Sequence, residues 1–253
     1  MRTANWTDSV SVLDRVTAVF DAFGEQDEGL GVSELARRAN LPKSTVSRIA
    51  TDLVAQRFLD RDGDLLYLGV RLFELGQTVE LPRRLRQRAL PVMKELRDVT
   101  HQTVHLAVLD ESDVVVVAVM RGEPAFRPPV RIGGRLPAHA TALGKAMLAY
   151  SPHDAVVRAT SCGLQRRTAH TITEPPTLLR QLVDIRALGF AVEREECALE
   201  LTCIASAILG HGGLPTAAIS VAGTVGGLVP DRVAPAVRAA AATLSRRLMA
   251  SDS

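Results

Sequence analysis

Residues 31–48 read GVSELARRANLPKSTVSR, and their spacing predicts two short helices joined by a tight turn. In the first, Val32, Leu35, Ala36 and Ala39 recur at i, i+3, i+4 and i+7 as one apolar stripe, with Ser33 as the expected N-cap and Glu34 beside the positive helix end. Asn40 tolerates left-handed backbone and ends this helix. Pro42 suits the first position of the next, because it has no N–H to lose there. In the second helix Val46, Ile49, Ala50 and Leu53 repeat the spacing. Ser44, Ser47, Arg48 and Thr51 fall on the opposite side, roughly 200° away at about 100° per residue. One face is built to pack, and the other offers polar side chains of the kind that enter a DNA major groove.

The flanking segments extend this pair. Upstream, Val12, Val16, Val19, Phe20 and Phe23 form a helical stripe that ends near Gly24 and supplies a third helix to cover the other two. Downstream, 58–61 and 65–68 are apolar-rich runs around Asp62-Gly63-Asp64, a turn signal that favours positive φ, so they predict a hairpin. Three helices and a hairpin make a winged helix-turn-helix.

The chain has 253 residues, 47% hydrophobic and 23% charged, enough for two cores. Its net charge is only +2, so affinity for nucleic acid must come from a local patch. Cys162, Cys197 and Cys203 show no Cys-x-x-Cys spacing, and the first ten residues carry no apolar leader. The longest strongly apolar run, 114–120, is far shorter than the ~20 residues of a membrane helix. A reduced cytoplasm without membrane attachment is the expected setting.

A linker helix is expected over 70–88, kinked or ended by Pro82, with Arg83, Arg84, Arg86 and Arg88 facing solvent or duplex phosphates. Pro91 is expected to open a further helix to about Thr100. Beyond it, 104–109 and 114–120 should pair as an antiparallel hairpin, and 126–132 should add an extended segment. Helices follow at 142–150, 152–160, 177–188 and 231–249, and strands at 190–194, 202–209 and 216–222. The resulting organisation is α+β: a DNA-binding domain over 1–69, a linker over 70–88 and an α/β ligand domain with a mainly antiparallel sheet over 89–253. No G-x-G-x-x-G turn or G-x-x-x-x-G-K-[ST] loop is present, which argues against a dinucleotide or nucleoside-triphosphate cofactor.

One candidate binding site stands out. His139-Ala140-Thr141 leads into the helix at Ala142, whose first-turn N–H groups suit a carboxylate. Ala138, Ala140 and Ala142 leave room for a ligand, and Leu143 and Leu201 can form apolar walls. The competing reading is an enzyme with an accessory helix-turn-helix. Cys203 would then need Glu193 or one of His101, His105 and His139 as a base, yet it sits in an apolar strand pattern where cysteine is usually a small hydrophobe. His101 and His105 have metal-ligand spacing only in a helix, and the pattern there is strand. No metal or cofactor is expected.

Five motifs in order carry a family resemblance: SVLDRVTAVFDAF, LPKSTVSR, DRDGDLLYLGVRLFELG, GGRLPAHATALGKAMLA and ECALELTCIASAI. Over nearly its whole length the chain resembles the IclR family of bacterial transcription regulators. It departs from the usual pattern at Asn40, at Ser47, and at Ala205-Ser206-Ala207, which lacks a common proline. The resemblance implies a winged helix-turn-helix, a linker helix that takes part in dimerisation, and a GAF-like C-terminal domain that binds a small metabolite. It also implies a homodimer or a dimer of dimers, and effector contacts at Ala142, Leu143, Glu193 and Cys203. An organic or aromatic acid is the expected effector class. Glu193 would repel a ligand anion unless the two charges lie at opposite ends of the pocket or the carboxyl is protonated.

On double-stranded DNA, the expected roles are phosphate anchoring by Lys43 and Ser44, base or sugar hydrogen bonds by Thr45 and Ser47, and a base-edge or nearby phosphate contact by Arg48. Two such helices related by a two-fold axis require a roughly palindromic operator.

Overall fold

The computed structural model describes residues 11–24, 27–122, 130–161 and 163–250. The chain divides into two compact units, Met1–Glu80 and Leu81–Ser253.

The first unit runs α1 (Val12–Asp21), β1 (Leu30–Gly31), α2 (Val32–Arg38), α3 (Lys43–Ala55), β2 (Leu59–Asp62), β3 (Leu65–Leu68) and α4 (Val70–Thr78). Its core joins Val19, Leu35, Val46, Ile49, Leu59 and Leu66, so the three helices and the wing share one apolar centre. α1 opens with a capping box: the Ser11 hydroxyl accepts from Asp14 N at 3.0 Å, and Ser11 N donates to the Asp14 carboxylate at 2.9 Å. α1 ends at Asp21, short of Gly24, and Val12, expected in its apolar stripe, is exposed.

The starts of α2 and α3 differ from the sequence reading, by two residues and by one. Leu30 and Gly31 pair antiparallel with Leu66 and Leu65, a short strand that the sequence did not signal. Gly31 is therefore extended and caps α2 without a side chain, and Ser33 lies inside the helix instead of capping it. Asn40 has φ 52°, the left-handed turn residue expected. Pro42 (ψ 138°) is the N-cap of α3 and not its first helical residue, and its carbonyl accepts from Val46 N at 3.0 Å. The wing is a regular antiparallel hairpin with Asp62 opposite Leu65, and Gly63 takes φ 55° in its turn.

The linker differs more. α4 stops before Val79, whose ψ of 112° leaves the helical region, and α5 (Glu80–Thr100) then runs uninterrupted. Pro82 falls in the first turn of α5, where a missing N–H costs nothing. The break expected at Pro82 thus occurs three residues earlier, and Pro91 lies inside α5 instead of opening a helix. Residue 88, where a boundary was expected, is in mid-helix.

The second unit continues with β4 (Thr103–Asp110), β5 (Asp113–Met120), β6 (Arg135–Pro137), α6 (Ala142–Leu148), α7 (His153–Ser161), α8 (Pro175–Leu188), β7 (Ala191–Arg194), β8 (Leu201–Leu209), β9 (Pro215–Thr224) and α9 (Pro230–Met249). The strands form one antiparallel sheet of order β6-β5-β4-β9-β8-β7. Of the segment expected at 126–132, residues 126–129 lie outside the described residues and 130–132 form no strand; the partner of β5 is β6.

Strand alternation gives the sheet two apolar faces. Val104, Leu106, Ile204, Ile219 and Val221 pack against α5 and α9. Ala107, Ala191, Ala205 and Ala218 pack under α6, α7 and α8. The fold is α+β, as expected. Among the described residues no helix is long and apolar enough to cross a membrane.

Candidate functional site

Val46, Ile49, Ala50 and Leu53 of α3 are buried, which turns the opposite side outward. Lys43, Ser44, Ser47 and Arg48 are exposed there, and Thr45 is half-buried. Among the described residues neither Lys43 nor Arg48 has an ion-pair partner. The arginines of α2 are engaged. Arg37 grips Glu34 through two bonds of 2.9 and 2.6 Å. Arg38 bonds Glu34 at 2.8 Å, Asp27 at 2.7 Å and the Ala22 carbonyl at 3.2 Å. These two guanidinium groups hold the Glu34 carboxyl down at about 2. Arg38 thereby latches α2 to the end of α1, while the cations of α3 stay available to phosphate.

In the second unit, Ala142, Leu143, Glu193, Leu201 and Cys203 all line one cavity. Its volume is about 30 Å³, room for one or two waters. Thr141, Leu136, Val130, Cys197, His105 and Ser220 complete the lining. None of the candidate residues lines the larger open groove of about 860 Å³ beside α9.

Thr141 caps α6 by accepting from Gly144 N at 3.1 Å. This satisfies one first-turn donor, so the N–H groups of Ala142 and Leu143 are the ones left for a ligand. Gly144 is needed for close packing: a Cβ there would lie 2.2 Å from the Ala138 carbonyl oxygen.

Glu193 and Cys203 face each other across β7 and β8, and the Cys203 thiol donates to the Glu193 carboxyl. Glu193 Oε1 also accepts from Glu196 N at 2.8 Å and Cys197 N at 3.0 Å. Burial nevertheless outweighs these bonds and raises Glu193 to about 7. The carboxyl is thus poised to be neutral or charged near physiological pH. Burial raises both thiols, Cys197 to about 11 and Cys203 well above its usual range, so neither is the thiolate that the enzyme reading needs. Among the described residues no His, Cys, Asp and Glu cluster could hold a metal ion.

Sequence reasoning missed two pairings. Lys145 is fully buried and joins Glu196 at 2.6 Å and the Val192 carbonyl at 2.9 Å, pinning α6 to the turn after β7. His105 and Ser220 are a cross-strand pair on the sheet face under α6. The only sequence signal for His105 was a histidine at an inward position of an apolar strand.

The raised Glu193 carboxyl gives a pH prediction with a definite sign. Between about 4.5 and about 7 the folded state retains a proton that the unfolded state has lost, so this group's contribution to stability falls as pH rises. His105, lowered to about 4 by burial, works oppositely, adding stability as pH rises from about 4 to 6.5. The two trends offset in the wild type. Glu193→Gln should therefore gain stability relative to wild type as pH rises through that window, measured by thermal unfolding at half-unit steps. A constant difference would reject the assignment.

The chain matches the family model for the IclR helix-turn-helix domain over residues 12–63 and that for the bacterial transcriptional regulator IclR C-terminal over 80–246. It is 32% identical to the transcriptional repressor IclR of Escherichia coli K12, covering 91% of this chain and 86% of that protein. It is 34% identical to the transcriptional regulator KdgR of Dickeya chrysanthemi, with coverages of 85% and 71%. A crystal structure of an IclR homolog from Microbacterium hydrocarbonoxydans complexed with 4-hydroxybenzoate superposes with a TM-score of 0.85 at 30% identity, covering 94% of this chain and 99% of that one. The Thermotoga maritima IclR gives 0.74 at 28% identity, with coverages of 93% and 98%. An exposed polar ridge on α3, a closed cavity under α6 and these matches along almost all of its length place the chain in the IclR family of DNA-binding transcription regulators, which carry a C-terminal effector domain and are not enzymes.

Proposed function

We propose that α3 reads the operator and that the cavity under α6 holds a small organic acid whose binding alters operator affinity. The observation that carries this reading is the convergence of Ala142, Leu143, Glu193, Leu201 and Cys203 on one cavity at the start of a helix. The relative bound to 4-hydroxybenzoate supports an aromatic acid. A cavity of about 30 Å³ admits a ring only if its lining moves apart. Such a ligand binds the opened arrangement better than the closed one, and this inequality is what a shift in DNA affinity requires. Relatives named as repressors support repression as the sign of control.

The working form is a homodimer, or two dimers paired. Leu13 of α1 and Val70 and Phe73 of α4 are exposed, Phe73 by 65%, and a second copy would cover them. Two α3 helices then meet a roughly palindromic operator in half-sites about one DNA turn apart. Gel shifts with the DNA flanking the coding region, with and without aromatic acids, test the reading. Acid-dependent retardation supports it, and absence of any shift on that DNA rejects it.

Within each half-site Lys43 and Ser44 anchor phosphates, Thr45 and Ser47 bond bases or sugars, and Arg48 meets a base edge or the adjacent phosphate. Arg48→Ala should cost ~1–3 kcal/mol on the preferred site and relax discrimination. Lys43→Ala should weaken every duplex alike and reduce the salt slope by ~1. Titrations on specific and scrambled duplexes at several salt concentrations check this; equal losses for both variants on both duplexes would end the division of labour.

A further inference from the structure

The turn between β7 and β8 carries two peptide units, 195–196 and 196–197, whose N–H groups donate to Glu193 Oε1. Glu196 N lies at 2.8 Å and Cys197 N at 3.0 Å. A trans peptide is planar and points its C=O opposite its N–H, so the carbonyls of the same two units face away from the Glu193 carboxyl. There each meets a threonine of the loop before α8. Thr168 Oγ1 donates to the Glu195 carbonyl at 2.5 Å, and Thr171 Oγ1 to the Glu196 carbonyl at 2.7 Å.

Neighbouring backbone fixes the direction of both bonds. Thr171 Oγ1 accepts from Arg167 N at 3.0 Å and Thr168 N at 2.8 Å, and Thr168 Oγ1 accepts from His170 N at 3.0 Å. Each hydroxyl has a single proton, which is left for the carbonyl. Two chains of hydroxyl, peptide and carboxyl result, and hydrogen bonds in such chains polarise one another. A proton held on the C=O side strengthens the N–H that Glu193 receives. Thr171 is buried, and neither threonine lines the cavity.

The turn has reason to be held. Glu195 and Glu200 take φ 59° and 63°, left-handed backbone that a non-glycine residue keeps only where its surroundings over-determine it. Lys145 grips Glu196 by the side chain, which leaves its peptide planes free to rotate. The two hydroxyls fix those planes.

We infer that Thr168 and Thr171 are positioning residues for Glu193: acting through the peptide units 195–196 and 196–197, they aim two N–H groups at its carboxyl and favour its charged form. The consequence for effector capture rests on the reading of the cavity as the effector site.

The groups around Glu193 are the Cys203 thiol on β8, the Cys197 thiol and Glu196 carboxylate on the turn, and His105 on β4 across the cavity. Further out lie Lys145 on α6, His139 before it, and Arg167 and His170 on the threonine loop. His105 is lowered to about 4 and both thiols are raised, so Glu193 is the lining group that changes charge near neutrality.

The test is a carbon-13 NMR titration of side-chain carboxyls in the full-length, ligand-free protein, with the Glu193 signal identified by its loss in Glu193→Gln. Thr171→Val keeps the shape and removes the hydroxyl. It should raise the Glu193 midpoint by about half a pH unit or more, because weaker N–H donation favours the neutral carboxyl. Thr168→Val should act in the same direction, and it carries the test if Thr171→Val does not fold. Thr171→Ser should return the midpoint to within about 0.2 units of wild type. A threonine that only holds the fold would lower thermal stability and leave this midpoint in place. An unmoved or lowered midpoint in the valine variants, or a serine variant that behaves as the valine one does, would overturn the inference. In calorimetric titrations with 4-hydroxybenzoate, the pH at which affinity falls should move up by the same amount. Failure of this acid to bind the wild type would overturn the effector reading and leave the inference standing, since the carboxyl titration needs no ligand.

Discussion

Lys145→Met is expected to lower the stability of the second unit by about 3–5 kcal/mol, the range for removing one partner of a buried ion pair. The Lys145 ammonium is fully enclosed, and its partner Glu196 is 7% exposed. Without the lysine, the Glu196 carboxylate and the Val192 carbonyl both lose their donor in a setting water cannot reach. A double variant, Lys145→Met with Glu196→Leu, should recover much of the loss, because the two charges then leave together. Scanning calorimetry of wild type, single and double variants reads the effect on the second unit's transition. A single variant within 1 kcal/mol of wild type would show that the pair contributes little.

Ala142→Trp is expected to abolish effector binding, weakening it more than a hundredfold, while operator affinity in the absence of ligand stays within about twofold. Ala142 is 1% exposed, at the first position of α6, and its side chain borders a cavity of about 30 Å³. An indole cannot fit there without occupying that space and covering the N–H groups at the start of α6. Overpacking should cost about 1–3 kcal/mol of stability, so the variant remains folded. Titration calorimetry with aromatic acids and gel shifts without them separate the two readouts. An undiminished ligand response would remove Ala142 from the site.

Features set by local spacing were readable in the sequence. The stripes of α2 and α3, the Asp-Gly turn of the wing, the hairpin of β4 and β5 and the start of α6 all follow from residues within one or two turns of each other. Features set by distant partners were not. Leu30 and Gly31 are a strand only because β3 lies beside them, and this moved the cap of α2. Pro91 reads as a helix start, but α5 keeps its apolar face of Leu85, Ala89, Val92 and Leu96 packed on the sheet through it, and that packing outweighs the lost backbone bond. The five candidate ligand residues were named from the α6 start, apolar wall spacing and the family resemblance. Their cavity neighbours His105 and Ser220 meet only through the register of β4 on β9, and Lys145 finds Glu196 only through the turn after β7. Neither pairing has a local signature.

The grip of Arg37 and Arg38 on Glu34 within α2 also bears on acidity. A carboxyl held near 2 stays ionised across the whole range in which cells live, and what it adds to folding fades only as pH falls from about 4.5 through about 2. The ion pairs inside α2 are thus indifferent to mild acid, whereas Glu193 changes charge near neutrality. A fall in pH below neutrality therefore protonates the cavity carboxyl while the ion pairs of α2 keep their charge.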